Sequence, residues 1–513
     1  MKQHKTKPFR QTVPALLALL ILAGALAGCT PQQPKTGWKS SVTIGTDAAF
    51  RTMDPQQISN AAHDQVFRMV YDTLLAPDPE TGRPGPGLAD SWSWTDGSYT
   101  ALRLHLREGV RFQSGDSFGP EDVVFTMDRI TNSTVKSSYD RTEITGPSEV
   151  VIYLSGPNAD FPWHLAACTT AIVSKKAVEK DPEAGASYGT GAWMFDRANT
   201  VPGDHVTLVR FEDCWKEKPV TETIVLRYFA NESARLIALE NGEIDCAITL
   251  SYNEYEIAQK NQDLEVNIFV GTGLNYLAFN TTAEPGDREL LRLAVAYAID
   301  RSAIIRSVGD PAAVPAVSVF SRDASAYTEK FSEDLSYDPA AAREMIARLR
   351  LTSGTVPELK LLVNTTIQSY KTMAEVVQEQ CRQAGITVTL EETDGSGLTA
   401  RSKFTSPEHQ VLLYTIFLNE YNSDISRLFS PGISSNKAVL TDERVISLLE
   451  DARRAGDAEA DRLYKELQTL AHDSCWYIPL FYGSGCIAWR KGVEGVVLRS
   501  TGRYDFTYIR APR

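Results

Sequence analysis

Beyond its first thirty residues the chain has no second apolar run approaching the about 20 residues that a spanning helix needs, which leaves a globular body. It has no cluster of lysine and arginine either, and its formal charge is −13. Phosphate backbones require grouped cations, so nucleic acid is excluded as a partner, and the acidic surface serves solubility. No Gly-x-Ser-x-Gly, phosphate-loop Lys, His-Glu-x-x-His or Gly-x-Gly-x-x-Gly motif occurs, which argues against an enzyme. The seven histidines stand too far apart in the chain for helical or short-loop ligation, and the cysteines lack metal-type spacing. No metal and no cofactor are expected. Tandem repeats and low-complexity tracts are missing from the body too.

What is present begins with a leader. Lys2, Lys5, Lys7 and Arg10 carry no accompanying acid and precede a short apolar run that contains Pro14, which reads as an export signal rather than a retained helix. Leu26-Ala27-Gly28-Cys29 closes it. Small residues before a cysteine fit the lipoprotein pattern, in which the thiol of Cys29 is acylated and residues 1–28 are removed, leaving Cys29 as lipid attachment at the outer face of the cell membrane. Loss of four cations makes the exported chain more acidic still. Residues 29–41, rich in Pro and Gln at their start, read as a tether.

Of the remaining cysteines, Cys168, Cys214, Cys246, Cys381, Cys475 and Cys486, three (Cys214, Cys246 and Cys381) sit among apolar neighbours, where a buried inert thiol is the commoner state. Disulfide pairing stays open. Ala101 to Leu106 alternates at the period of a half-buried strand after an Asp96-Gly97 turn, and Gly109 to Phe112 continues the alternation into a Ser114-Gly115-Asp116 turn. Pro120 with Glu121 and Asp122 opens a helix burying Val123, Val124, Met127 and Ile130. Asp338-Pro339 opens another, over Ala342, Met345, Ile346 and Leu349. A strand at Leu359–Val363, a helix over Tyr370–Ala384 closed by Gly385, and a strand with Ile386, Val388 and Leu390 make a parallel crossover unit. Length alone calls for at least two lobes.

Four ordered motifs carry a resemblance. They are Gly87-Leu88-Ala89-Asp90-Ser91-Trp92 with the hairpin and helix through Ile130; Gly189-Thr190-Gly191-Ala192-Trp193, with Ala192 where the pattern has proline; Ala238 to Asp245, "ALENGEID"; and Tyr276 to Thr281 followed by Leu291 to Arg301. Together they resemble the family 5 extracellular solute-binding proteins. That resemblance implies an α/β, two-lobed, periplasmic-binding-protein-like clamshell of type II with an extra lobe inserted in its first domain. It divides the chain into a first domain of residues 42–76, 188–270 and 483–513, an inserted lobe of 77–187, and a second domain of 271–482. It implies a monomer that binds a short peptide or other small solute between the lobes and hands it to the permease and ATPase subunits of an ABC importer.

In peptide-binding relatives a Trp-x-x-Asp-Tyr segment supplies an acid for the peptide's ammonium. The matching positions here are Phe417 and Glu420, with Asp424 a rival acid and Tyr421, Asn422 and Tyr482 as accompanying wall residues. Both residue types have changed, so a non-peptide ligand such as a metal chelate or a sugar is the alternative. An exported enzyme or a sensor on the same fold is the more distant one. The anchoring expectation is directly testable: Cys29→Ser abolishes palmitate labelling and leaves the precursor uncut, and an unlabelled wild-type chain refutes the lipid anchor.

Overall fold

The computed structural model describes residues 37–57, 61–78, 83–331, 336–418, 422–498 and 504–513. The leader and Cys29 lie outside them. Two long strands, Leu264–Phe279 and Tyr477–Arg490, pair antiparallel along most of their length and form the middle of an eleven-stranded sheet. To one side lie Cys246–Ile248, Ser41–Thr46, Thr223–Tyr228, His205–Arg210 and Trp193–Phe195; to the other lie Val411–Phe417, Leu359–Asn364 and Val388–Thr393. Ser41–Thr46 pairs parallel with both its neighbours, and Leu359–Asn364 does the same on the far side.

The two wings bury separate cores. One gathers Val42, Ile44, Phe67, Trp193, Leu208 and Ile224; on the other wing one face packs Leu277, Phe279, Leu291, Val363, Met373 and Leu413, and the opposite face Tyr276, Leu412, Phe429, Tyr464 and Tyr477. Parallel strands need both faces covered, and helices Glu289–Ala298, Pro339–Ser353 and Gln368–Gln383 supply one layer. The Asp338 carboxylate accepts from Ala340 N and Ala341 N, which fixes the start of Pro339–Ser353. The helical stretch matched by Leu291 to Arg301 is in fact two helices, because the chain turns extended at Ile299 and Asp300 caps the next helix, Arg301–Val308.

A third body stands on the first wing. Its four antiparallel strands run Ala89–Trp94, Ala101–Leu106, Glu149–Leu154 and Tyr139–Gly146, and Leu102, Leu104, Leu106, Val150 and Ile152 face a core shared with Val123 and Met127 of helix Pro120–Arg129. Alternation in Ala101–Leu106 is as expected from sequence, with Arg103 and His105 exposed. Two details differ. The turn before it places Tyr99, not Gly97, in the left-handed region (φ 55°), where its ring meets Trp94 edge-on at 5.4 Å and offsets the strain. Gly109 to Phe112 makes only an isolated bridge, Arg111 to Ser117, because the chain folds back at once through Gly115.

The six described cysteines are all free, and burial pushes the Cys381 thiol up to about 12, as suits an inert core residue. At the chain's ends, Trp38 bridges Pro512 and Lys39 N donates to Ala511 O (2.8 Å).

Where the third body joins the first wing, polar side chains hold the entering and leaving strands together. Asp72 is buried and accepts from Thr190 Oγ1 and Trp215 Nε1, both at 2.9 Å, and pairs with Lys216. Gln113 spans the same junction, its Nε2 near the carbonyls of Val70 (2.9 Å), Trp193 (2.8 Å) and Gly191 (3.2 Å) while its Oε1 accepts from Gly189 N (3.0 Å). Gln113→Ala strands those groups, so denaturant unfolding should show a loss of about 1–3 kcal/mol, with the change absent in an exposed control such as Gln259→Ala.

Candidate functional site

The strands aim their carboxyl ends at one place. Ser41–Thr46 and Cys246–Ile248 run antiparallel to Tyr477–Arg490, so they end toward its middle; Val411–Phe417 runs antiparallel to Leu264–Phe279 and places Phe417 opposite Gly273, near the middle of that strand. Ligands of open α/β sheets sit beyond the carboxyl ends of strands. Both wings therefore present their loops to the same crevice, floored by the midpoints of the two long strands.

Those midpoints are irregular. Val270 pairs with Ser484 and Leu274 with Tyr482, leaving Gly271, Thr272 and Gly273 opposite Gly483 alone. A Cβ at Gly271 would stand 3.0 Å from the Gly483 carbonyl, and one at Gly485 would stand 2.3 Å from the Phe269 ring. Glycine is needed for this close approach. Tyr252 reaches the floor from the first wing, its hydroxyl 2.5 Å from Ser484 Oγ, while Asp310 accepts from Ser484 N at 3.0 Å from the second wing.

The residues singled out from sequence fall around this floor. Phe417 is 72% exposed, an uncommon state for a large aromatic at a strand end, and its ring passes 3.2 Å from where a Gly273 Cβ would be. Asn422 Nδ2 donates to Ser325 Oγ (3.0 Å) and Asp461 Oδ1 (2.6 Å), and its Oδ1 accepts from Ala326 N (2.9 Å). Asp424 is 4% exposed and paired with Arg427 at 2.6 Å, and Arg427 Nη2 also donates to the Phe417 carbonyl at 2.8 Å. Leu418 N donates to Thr272 O (3.1 Å). Leu418 is thereby tied to the floor and Asn422 to the wall at Ser325 and Ala326; Glu420 and Tyr421 lie outside the described residues.

Tyr482 is buried, and its hydroxyl is held between the carbonyls of Ser318 (3.1 Å) and Phe320 (2.6 Å), with burial pushing its pKa far up. It thereby fixes the loop whose residues Ser321, Arg322, Asp323, Tyr327 and Glu329 wall a cavity with Val270, Gly271, Thr272 and Leu418. Sequence reading missed this loop, since nothing local marks it. Beside Gly273, Tyr370 donates to Thr415 Oγ1 (2.8 Å), which donates to Asn275 Oδ1 (2.5 Å), another polar chain that periodicity does not show. Among the described residues no group of three His, Cys, Asp or Glu side chains is placed to hold a metal ion.

Two wings joined by crossing strands, with loops facing one crevice, define a solute-binding protein of the clamshell kind. The profile described as "Bacterial extracellular solute-binding proteins, family 5 Middle" matches residues 83–430, and the chain belongs to that family. It is 27% identical over 539 residues to the probable ABC transporter periplasmic-binding protein SapA of Escherichia coli (strain K12), covering 96% of this chain and 97% of that one. Glutathione-binding protein GsiB of the same organism is 27% identical over 509 residues, covering 95% and 96%. Among solved structures, DppA from Helicobacter pylori in complex with the peptide STSA superposes with a TM-score of 0.76 at 21% identity, over 92% of this chain and 98% of that one.

The site yields its own test. Tyr482→Phe keeps the ring and removes the bond to Ser318 and Phe320, so hydrogen exchange in residues 318–329 should quicken at least tenfold while Leu359–Asn364 stays protected. Equal protection in both proteins would mean that the wall loop is held by its bonds to Asn422 and Gln468 without Tyr482.

Proposed function

We propose that this protein is the lipid-anchored, extracytoplasmic receptor of an ABC importer and that its solute is a short peptide, with Glu420 pairing the peptide's ammonium and Phe417 lying along its backbone. One observation carries the ligand class. The cavity wall brings a guanidinium, Arg322, and two carboxylates, Asp323 and Glu329, to the same crevice as an exposed aromatic ring, a pairing of signs that suits a zwitterion with an apolar middle better than a bare cation. The Asp424 carboxylate is already matched by Arg427, which favours Glu420 as the acid turned to the ligand. Main-chain hydrogen bonding would supply affinity without strong sequence preference. The names of GsiB and DppA, a glutathione-binding protein and a protein crystallised with a peptide, point the same way.

A thermal-shift screen of di- to pentapeptides and glutathione identifies a binder, and calorimetry then compares two proteins with two peptides. Glu420→Gln keeps shape and deletes the charge, so affinity for the free peptide falls roughly thirtyfold or more, since stranding a buried charge costs about 2–5 kcal/mol. N-acetylated peptide binds the wild type weakly and loses little further on mutation. Additive losses across the cycle overturn the Glu420 assignment, and a screen in which only non-peptide solutes bind overturns the peptide.

A further inference from the structure

The inserted body, Pro77 to Ser187 in the main, has its own core and contributes nothing to the floor of the crevice. Yet it touches the opposite wing. Its turn at Asn158–Asp160 lies against the junction between helices Glu443–Arg453 and Asp457–Ser474. Ala159 N donates to Arg453 O at 2.8 Å, and Tyr464 donates its hydroxyl to Asp160 Oδ2 at 3.0 Å. Arg83 reaches Asp457 at 3.4 Å, an exposed pair of little weight. At the same junction a Cβ on Gly456 would stand 3.1 Å from the Tyr99 hydroxyl.

The turn is rigid on its own side. Asn158 is buried, its N–H donates to Tyr99 O (3.0 Å), its Nδ2 donates to Ser138 Oγ (3.2 Å), and its carbonyl accepts from Phe161 N (3.1 Å). Tyr464 is equally fixed on the other, 1% exposed within the second wing's core. Beside the bonds, however, the two surfaces leave a gap. An open cavity separates Asn158 and His164 of the inserted body from Arg427, Leu449 and Arg453 of the second wing. Rigid edges meeting over a void make a contact that a few hydrogen bonds hold, unlike the dry and filled interface of a permanent assembly.

We propose that the inserted lobe is the catch of the clamp: the Asn158–Asp160 turn engages the Arg453–Tyr464 junction when the wings come together and lets go when they part. Its placement favours it. The bonds join the inserted body to the second wing, so any rotation about Gly271–Gly273 and Gly483 that parts the wings must break them. The cavity behind the catch also reaches Arg427, which holds both Asp424 and the Phe417 carbonyl, so the catch adjoins the segment proposed to meet the solute.

The test uses the mature protein without added solute, measuring the radius of gyration by X-ray scattering and amide exchange by mass spectrometry. Tyr464→Phe removes one bond and keeps the ring. Gly456→Leu wedges the junction apart at a position whose backbone (φ −72°, ψ 165°) accepts any side chain. Both variants should enlarge the radius and speed exchange at Ala159 at least tenfold, with melting temperature unchanged, and Tyr99→Ala in the Gly456→Leu background should restore both readings. An unchanged radius in both variants overturns the catch. So does loss of protection throughout Glu443–Arg453 and Asp457–Ser474, which would make the contact part of the second wing's fold. No solute enters these measurements, so their failure leaves the peptide reading untouched, and failure of the Glu420→Gln cycle leaves this one.

Discussion

The pairing of Leu264–Phe279 with Tyr477–Arg490 is the constraint on which everything else rests. One continuous ladder runs through both wings, which sets their relative orientation; in its middle the ladder is broken, with three residues facing one. A regular ladder would make a stiff plank. The break replaces side-chain packing with three glycines, Gly271, Gly273 and Gly483, and backbone without Cβ atoms at those positions accepts torsion changes that no other residue would tolerate so cheaply. Stiff strands on either side carry the rotation outward undiminished. The parallel wings then follow from chain direction: strands that must flank these two with their carboxyl ends inward bring their loops to the break, so the crevice opens over the most pliant part of the sheet.

On the proposed reading, specificity and mobility are built from the same few residues. Thr272 supplies an acceptor to Leu418 and a wall to the cavity, and Gly273 makes room for the exposed ring of Phe417. Tyr482 belongs to a long strand yet anchors the loop carrying Arg322, Asp323 and Glu329. A change in wing angle moves these groups relative to the loops of the first wing, and a solute that bridges them stabilises one angle over the others.

Local patterns were read well from sequence and non-local ones were not. The alternation of Ala101–Leu106, the Asp338-Pro339 cap and the parallel crossover all follow from periods and caps within a dozen residues, and the structure has them in place. Tyr99 took the left-handed position because Trp94 packs on it, a preference no dipeptide rule contains. The wall loop at 321–329 could not be seen, since the side chains that bond it and its approach, Asn422, Gln468 and Tyr482, all stand about a hundred residues or more away in the chain. Asp424, the rival acid, is ion-paired with Arg427, which stands three residues on, the spacing of a local pair, so that much of its surroundings was legible in the sequence.

The first described residues meet the last on the first wing, where Trp38 bridges Pro512 and Lys39 is bonded to Ala511. A load applied to the amino-terminal segment consequently enters through strand Ser41–Thr46, two strands removed from the crossing, and is borne in shear by its parallel neighbours. The broken ladder lies outside that path, so the first wing offers a mount against which the second can turn as a jaw.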